Sequence, residues 1–426
     1  MKRLPLLAAL AFAFAFAIAM PASAQAADAW HFDFGPAKTA GRTAVAPGVA
    51  YSAERGYGFE PGKPVFFSAD LPEGNYNVTV TFGNDKAAST TTVKAELRRL
   101  MLENVKADAG QSVTRTFTVN VRTPQIAAVD GVAAGVVKLK VPREILGEAW
   151  SWDRRLTLEL NGENSAVRSV DIVPVTSPTL FLLGDSTVCD QSGEPYASWG
   201  QMLPRFFKSG VAVAHHAESG ETYRDSIGRR RIDKILSVMR PGDTVLLQFG
   251  HNDQKQIKDG KGGPFTTYKA EIGVHVAAIR AHGGVPVIVS PMERRNFDEQ
   301  GKVRPSLIDY ADAARQAAGE LKVAFIDLNA MSKPFYEALG PEKSRLAFAE
   351  PTPGKVDNTH HNNYGAYQLA KAIVVGIQRA KLPVAAFVAD DFGTYDPARP
   401  DPVDAFAVPA SPGFTNERPL GDEANK

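Results

Sequence analysis

The sequence predicts two architectures in one chain: an antiparallel β-sandwich, followed by an α/β domain whose parallel sheet is covered by helices on both faces. Three observations carry that reading. Short alternating apolar/polar runs separated by turn residues fill Trp30 to Pro174. After Thr176-Ser177-Pro178, wholly apolar runs alternate with helical stretches. The clusters of reactive polar residues in the second half sit just past the ends of those apolar runs.

In the first half, Tyr76 to Phe82 alternates with period two, as do Val113 to Val121, Val136 to Val141, Leu156 to Leu160 and Val170 to Val173. Pro72-Glu73-Gly74-Asn75 and Asn161-Gly162 separate runs of this kind as turns. Short alternating strands at such spacing, with no helical period between them, fit a sandwich. No nucleophile, paired carboxylates or ligand cluster in this half marks an active site of its own.

In the second half, the apolar runs Leu180 to Leu183, Val245 to Phe249, Val285 to Val289 and Val323 to Leu328 alternate with helical stretches at Asp225 to Met239, Tyr268 to Ala281 and Leu307 to Leu321. Strands without an exposed face, alternating with helices, imply βαβ units and a parallel sheet. The boundary falls near residue 175, giving a sandwich over residues 27–175 and an α/β domain over 176–390. Beyond about Val388 the chain turns rich in proline, aspartate and alanine without periodicity, so 391–426 reads as an extended surface tail.

The length agrees, because about 400 residues exceed the roughly 250 to 300 at which a single core stops growing. Lys2 and Arg3 precede an uncharged apolar stretch from Leu4 to Met20 and the small-residue exit Ala22-Ser23-Ala24. That pattern is expected of a secretory leader over residues 1–24, hence a secreted or periplasmic protein with no membrane attachment after cleavage. Of 48 basic and 47 acidic residues, the leader carries two basic and no acidic ones, leaving 46 against 47. That balance points away from nucleic acid. Cys189 is the single cysteine and reads as a small core residue.

In open parallel sheets, ligands gather outside the carboxyl ends of the strands. Gly184-Asp185-Ser186-Thr187 follows the first apolar run, and Gly250-His251-Asn252-Asp253 follows Val245 to Phe249. Val213 to Gly220 looks like a short strand running into a glycine turn, and Asp357-Asn358-Thr359-His360 precedes a helical stretch from Tyr364 to Arg379. Ser186 needs a base to become a nucleophile. His360 is the candidate base, with Asp357 three residues earlier to hold its ring; His361 is the alternative, and the Asp-x-x-His spacing selects His360. Candidate oxyanion donors are the backbone amides of Ser186 and Gly220 and the side-chain amide of Asn252. His215 and His216 read as core or edge histidines, and His251 as a hydrogen-bonding support. No metal-binding spacing appears, so neither metal nor cofactor is expected.

Those four blocks, in this order, resemble the SGNH (GDSL-type) hydrolases. The GDST and GHND forms, with Asp-x-Thr-His followed by Asn363-x-Gly365-Ala366, are similar to the rhamnogalacturonan acetylesterase branch. The resemblance covers roughly residues 178 to 395. It implies a flavodoxin-like three-layer fold and metal-free removal of acetyl groups from pectic polysaccharide. It also implies the triad Ser186, Asp357 and His360, with Ser186, Gly220 and Asn252 as oxyanion hole. Glu221 departs from the branch pattern and bears on local substrate contacts. Arg294 and Arg295, just past the strand ending at Ser290-Pro291, are expected to form a basic rim for galacturonate carboxylates. Arg224, Arg229, Arg230 and Arg231 read as solvated helix charge. Trp30 to Gly35 and Tyr51 to Tyr57 give the first half a likeness to galactose-binding-like sandwiches, which bind sugar on exposed aromatics or serve as structural partners.

The function expected is therefore a serine carbohydrate esterase acting on an acetylated polysaccharide or oligosaccharide. The alternatives are a GDSL-type esterase or lipase for another acylated glycan or lipid, and a silent glycan-binding protein. The polar, glycine-containing loops Asp190 to Ser198 and Lys255 to Gly263 favour a sugar. Oligomeric state is not readable from the sequence.

Overall fold

The computed structural model describes residues 29–35, 39–254, 257 and 262–419, so the expected leader lies outside the described residues. The first half contains β1 (Trp30–Asp33), β2 (Thr43–Ala44), β3 (Tyr57–Glu60), β4 (Lys63–Asp70), β5 (Gly74–Phe82) and β6 (Ser89–Ala95). These are followed by β7 (Arg99–Ala107), β8 (Val113–Val121), β9 (Gln125–Ile126), β10 (Gly135–Val136), β11 (Arg155–Asn161) and β12 (Val167–Pro174). Two five-stranded sheets, ordered β2-β1-β12-β5-β8 and β3-β4-β11-β6-β7, form a sandwich. The pairing is antiparallel except between β1 and β2.

β5 shows why the sequence pattern works. Tyr76, Val78, Val80 and Phe82 point inward and are buried, and join Phe67, Leu158, Val170 and Ile172 in the core between the sheets. The intervening Thr79 and Thr81 face outward, where their hydroxyls meet Thr116 and Thr114 across the strand pair at 2.8 and 3.2 Å. β6 breaks the alternation and is buried along most of its length, because its outer face is covered by the rest of the chain. Lys94 there is 1% exposed and donates to Ser411 Oγ at 2.7 Å and the Pro409 carbonyl at 2.8 Å.

The second half contains β13 (Thr179–Gly184), α1 (Trp199–Met202), β14 (Ala212–His215), α2 (Tyr223–Gly228), α3 (Arg231–Val238) and β15 (Thr244–Gln248). There follow α4 (Lys269–Ala281), β16 (Val285–Val289), α5 (Ile308–Leu321), β17 (Ala324–Ile326), α6 (Leu328–Lys343) and α7 (Asn363–Arg379). The five strands pair in parallel in the order β14-β13-β15-β16-β17, the flavodoxin-like arrangement. Leu180, Leu182, Val287 and Val289 pack towards α1, α6 and α7. Phe181, Leu183, Val245, Leu247 and Ile288 pack towards α3, α4 and α5. Both faces are thus buried, which is why these strands read as continuous apolar runs.

Three expected elements are corrected. The alternation from Val136 to Val141 is not a strand beyond Val136; the chain leaves β10 and makes a helical turn at Arg143–Gly147. Its alternation reflects a different partner, since Val137 and Trp152 enter the apolar core of the α/β half. The helix expected over Asp225 to Met239 is two helices, broken where Arg230 takes a left-handed φ of 63°. The strand expected to reach Leu328 stops at Ile326, and α6 begins at Leu328 with the Asp327 side chain accepting from the Ala330 amide at 3.1 Å. Pro334, Pro341 and the kink at Gly340 concealed that helix from the sequence.

Of the arginine run, Arg224 is exposed and pairs with Glu271 at 2.8 Å, as solvated helix charge does, and Arg231 is the correction. Arg231 has no exposed side-chain surface and holds Glu144 of the first half through two bonds of 2.6 and 3.0 Å, while Trp152 Nε1 donates to the same carboxylate at 3.0 Å. The tail, for its part, is extended but not merely superficial. Phe392, Tyr395 and Val408 are buried in it, and Asp401 pairs with Lys371 at 2.7 Å.

Removing one partner of a buried ion pair leaves the other charge uncompensated, at a cost of about 3–5 kcal/mol. Arg231→Ala should therefore lower the urea midpoint markedly. An unchanged midpoint would mean that the pair does not help hold the two halves together.

Candidate active site

Ser186 lies in the turn immediately after β13. Gly184 makes that turn possible, because a Cβ there would meet the Gln248 carbonyl at 2.5 Å and the Val188 side chain at 2.6 Å. Asp185 folds the loop back on itself, its Oδ1 accepting from the Thr187 amide at 3.0 Å and the Thr187 hydroxyl at 2.8 Å. Its other oxygen faces His251 Nδ1 at 3.2 Å, and His251 Nε2 lies 3.2 Å from the Met292 carbonyl. His251 thus braces two strand-end loops.

The histidine arrives from the far end of the domain. Asp357 Oδ1 accepts from the amides of Thr359 at 2.7 Å and His360 at 3.0 Å, tightening the loop just before α7. That turn presents His360 Nδ1 to Asp357 Oδ2 at 3.1 Å and His360 Nε2 to Ser186 Oγ at 2.9 Å. All three side chains are buried. Burial opposes ionisation of Asp357, but the His360 imidazole, its amide and Arg418 outweigh it and hold the carboxyl below the usual carboxylate range. An ionised Asp357 orients the ring and can stabilise an imidazolium. Tyr196 packs edge-on against the His360 ring, with centroids 5.9 Å apart.

His361, the alternative base, points elsewhere. Its Nε2 lies 2.9 Å from the Tyr336 hydroxyl, and burial pushes its pKa down to about 3, so it stays neutral inside the core. Among the other polar residues, His215 contacts Asp190 at 3.0 Å and His216 packs between Trp152 and Phe181. Cys189 is buried, and burial raises its thiol pKa well above the ordinary value, which removes it as a nucleophile.

Gly220 ends the loop after β14 with φ 74°, a conformation that favours glycine. Asn252, after β15, donates its side-chain amide to the Glu221 carbonyl at 3.1 Å, which couples the two loops from which oxyanion donors are expected. The Glu221 carboxylate turns inward to Lys140 at 2.9 Å and Arg229 at 3.2 Å, so it faces the first half rather than the substrate. Behind this loop, Glu144, Glu148 and Glu218 place carboxylate oxygens within 4.8 Å of one another. Arg143 is bound to Glu148 and Glu218, and Arg231 to Glu144, offsetting part of that charge, while burial and the neighbouring Glu218 push the Glu148 carboxyl well above its usual range.

The basic rim assigned to Arg294 and Arg295 is corrected. Arg294 is 2% exposed and donates to Thr359 Oγ1 at 3.1 Å and to the His251 carbonyl at 3.4 Å. Arg295 gives its amide to the Asn358 carbonyl at 2.7 Å and its guanidinium to Ser344 Oγ at 3.0 Å and the Pro341 carbonyl at 2.6 Å. Both brace the loop that carries Asp357 and His360: Arg294 is enclosed by it, and the half-buried Arg295 spends its guanidinium on Ser344 and Pro341.

The cations that do border open space were not singled out from sequence. An open groove of about 420 Å³ beside Asp357 is lined by Tyr196, Thr352, Lys355, Asn358, Asn416 and Arg418. Arg418 Nε donates to Asp357 Oδ2 at 2.8 Å and its terminal nitrogen to Oδ1 at 3.1 Å. It belongs to an aperiodic segment distant in sequence from Asp357, so spacing gave no signal. Three aromatics of the first half are engaged by neighbouring side chains. Arg155 covers the Tyr51 ring, Lys63 covers Trp150, and Trp30 packs on Tyr76.

If His360 is the base, it must be neutral to take the serine proton. The kcat/KM for a small aryl acetate should then fall as pH drops along one ionisation, and Ser186→Ala or His360→Ala should lower kcat by about 10⁴-fold or more. His361→Ala should keep the acidic limb. A crippled His361→Ala beside an active His360→Ala would move the base by one residue.

Residues 182–366 match the GDSL-like Lipase/Acylhydrolase family. The rhamnogalacturonan acetylesterase RhgT of Bacillus subtilis (strain 168) is 38% identical over 215 residues, 48% of this chain and 91% of that protein. The probable rhamnogalacturonan acetylesterase YesY of the same organism is 32% identical over 207 residues, 48% of this chain and 94% of that protein. The uncharacterized esterase YxiM, also from Bacillus subtilis (strain 168), is 28% identical over 319 residues, 74% of each chain. With one relative so similar along nearly its whole length, the chain belongs to the GDSL-like lipase/acylhydrolase family and is a serine-dependent carboxylic ester hydrolase.

Proposed function

We propose that this esterase removes O-acetyl groups from pectic polysaccharide of the rhamnogalacturonan type, outside the cytoplasm, through an acetyl-enzyme on Ser186. The observation that carries the chemistry is the continuous line Ser186 Oγ, His360 Nε2, His360 Nδ1, Asp357 Oδ2, with links of 2.9 and 3.1 Å. The substrate class draws support from the two relatives named rhamnogalacturonan acetylesterases, and from a polar groove bearing Lys355 and Arg418 beside the triad.

In the first step the Ser186 oxygen attacks the acetyl carbonyl carbon while its proton passes to His360 Nε2. The oxyanion that forms faces the amides of Ser186 and Gly220 and the Asn252 side chain, each such donor being worth roughly 3 kcal/mol of barrier. The carbon–oxygen bond to the sugar breaks, and the sugar oxygen leaves with the proton from His360. Water then attacks the acetyl-enzyme, His360 takes its proton and returns it to Ser186, and acetate departs. A neutral His360 begins and ends each half-reaction.

Acetate release from acetylated rhamnogalacturonan, acetylated xylan and long-chain aryl esters tests the substrate class. The rhamnogalacturonan should be preferred, and the preference should shrink as salt rises, because groove cations attract the uronate carboxylates of that polymer. A salt-independent preference for xylan or for long-chain esters would leave the serine esterase standing and reject the pectic substrate.

A further inference from the structure

We infer that Arg98, in the β6–β7 turn of the sandwich, is a positioning residue for ester hydrolysis: one guanidinium from the first half grips both the loop that carries Ser186 and the segment that carries His360. The inference rests on the Ser186–His360 mechanism proposed above.

The turn is built to project. Between β6 and β7, Glu96 and Arg98 take left-handed φ values of 54° and 62°. Such a conformation costs a side-chain-bearing residue of order 1–3 kcal/mol and persists where the surroundings hold it. Here they do. Leu97 is buried and its carbonyl accepts from Gln201 Nε2 at 2.8 Å, while the Arg99 guanidinium binds Asp190 Oδ2 at 2.9 and 2.7 Å. The turn therefore plugs into the α/β half directly behind the Ser186 loop.

Arg98 completes the plug. It is 6% exposed, and one terminal nitrogen donates to the carbonyls of Gln191 at 3.0 Å and Tyr196 at 2.7 Å. The other donates to Asn363 Oδ1 at 3.1 Å and pairs with Glu194 Oε1 at 2.7 Å. Each contact leads to a reacting residue. Gln191 Nε2 donates to the Ser186 carbonyl at 2.6 Å, Tyr196 packs on the His360 ring, and Asn363 opens α7 three residues after His360. Glu194 also accepts from Asn363 Nδ2 at 2.9 Å, so the counterion repeats the same bridge. Ser186 and His360 stand 174 positions apart in the chain, and a hydrogen bond between loops so remote depends on what fixes both. The planar fork of arginine reaches several acceptors at once, which a lysine ammonium does not.

A displacement of about 1 Å at reacting groups can cost on the order of a hundredfold in rate. The test uses the full chain. Wild type, Arg98→Ala, Arg98→Lys and the surface control Arg168→Ala are labelled to completion with a serine-directed phosphonate, and kcat for p-nitrophenyl acetate is expressed per labelled site. Arg98→Ala should lose roughly 10- to 100-fold in kcat per site with a much smaller change in KM, Arg98→Lys should recover part of it, and Arg168→Ala should match wild type. Wild-type kcat per site in both Arg98 variants, with only the number of sites or the melting temperature reduced, would overturn the inference. If Arg98→Ala does not fold, Arg98→Lys decides by the same criterion. Failure of the phosphonate to label Ser186 in the wild type would instead reject the serine mechanism, a separate outcome.

Discussion

The hydrogen bond from Ser186 Oγ to His360 Nε2, 2.9 Å long, is the constraint to which the rest of the α/β half answers. It joins a turn at the end of the first parallel strand to a loop at the start of the last helix, and neither can move without breaking it. The parallel sheet supplies coarse placement by setting all its strand-end loops on one edge. Fine placement comes from bonds between loops: Asp185 to His251, Arg294 to Thr359 and the His251 carbonyl, Asn252 to the Glu221 carbonyl. Gly365, where an added Cβ would collide with the Ala347 carbonyl, lets α7 sit close enough to bring His360 into line.

A second theme is how much charge is buried between the halves. Arg231 with Glu144, Arg99 with Asp190, Arg98 with Glu194 and Lys140 with Glu221 all lie at or near the seam. Desolvation makes such pairs poor sources of net stability, and apolar residues of similar size often serve better. What they confer is direction, since a buried charge tolerates few arrangements. In this protein they point at the loops around Ser186 and Gly220. The sandwich thus packs as a wall against the α/β half.

Local physics made much of this legible in the sequence. Alternation in Tyr76 to Phe82 reports one wet and one dry face, and the apolar run Leu180 to Leu183 reports two dry ones. Reactive residues just past strand ends come together in the fold, and of the two histidines His360 meets Asp357 and Ser186 while His361 turns to Tyr336. What stayed hidden depends on distance in the chain. Arg294 looked like a surface cation because nothing nearby in sequence says that Thr359 and His251 will enclose it. Arg98 sat in an ordinary turn, and Arg418 in a segment without period, until folding set one beside Tyr196 and the other on Asp357. The Val136 to Val141 alternation misled for the same reason, Val137 and Leu139 being matched to the α/β core while Val136 and Val141 stay exposed.

The covalent step on Ser186 is the central claim, and trapping the intermediate tests it most directly. Turnover of an acetylated substrate is quenched in acid within the first catalytic cycles, the protein is digested, and the peptides are sequenced by mass spectrometry. The predicted result is an acetyl group on Ser186 that is absent from a sample quenched after the substrate is exhausted. Acetyl found on another residue, or rapid hydrolysis by a Ser186→Ala variant that never becomes acetylated, would contradict the mechanism.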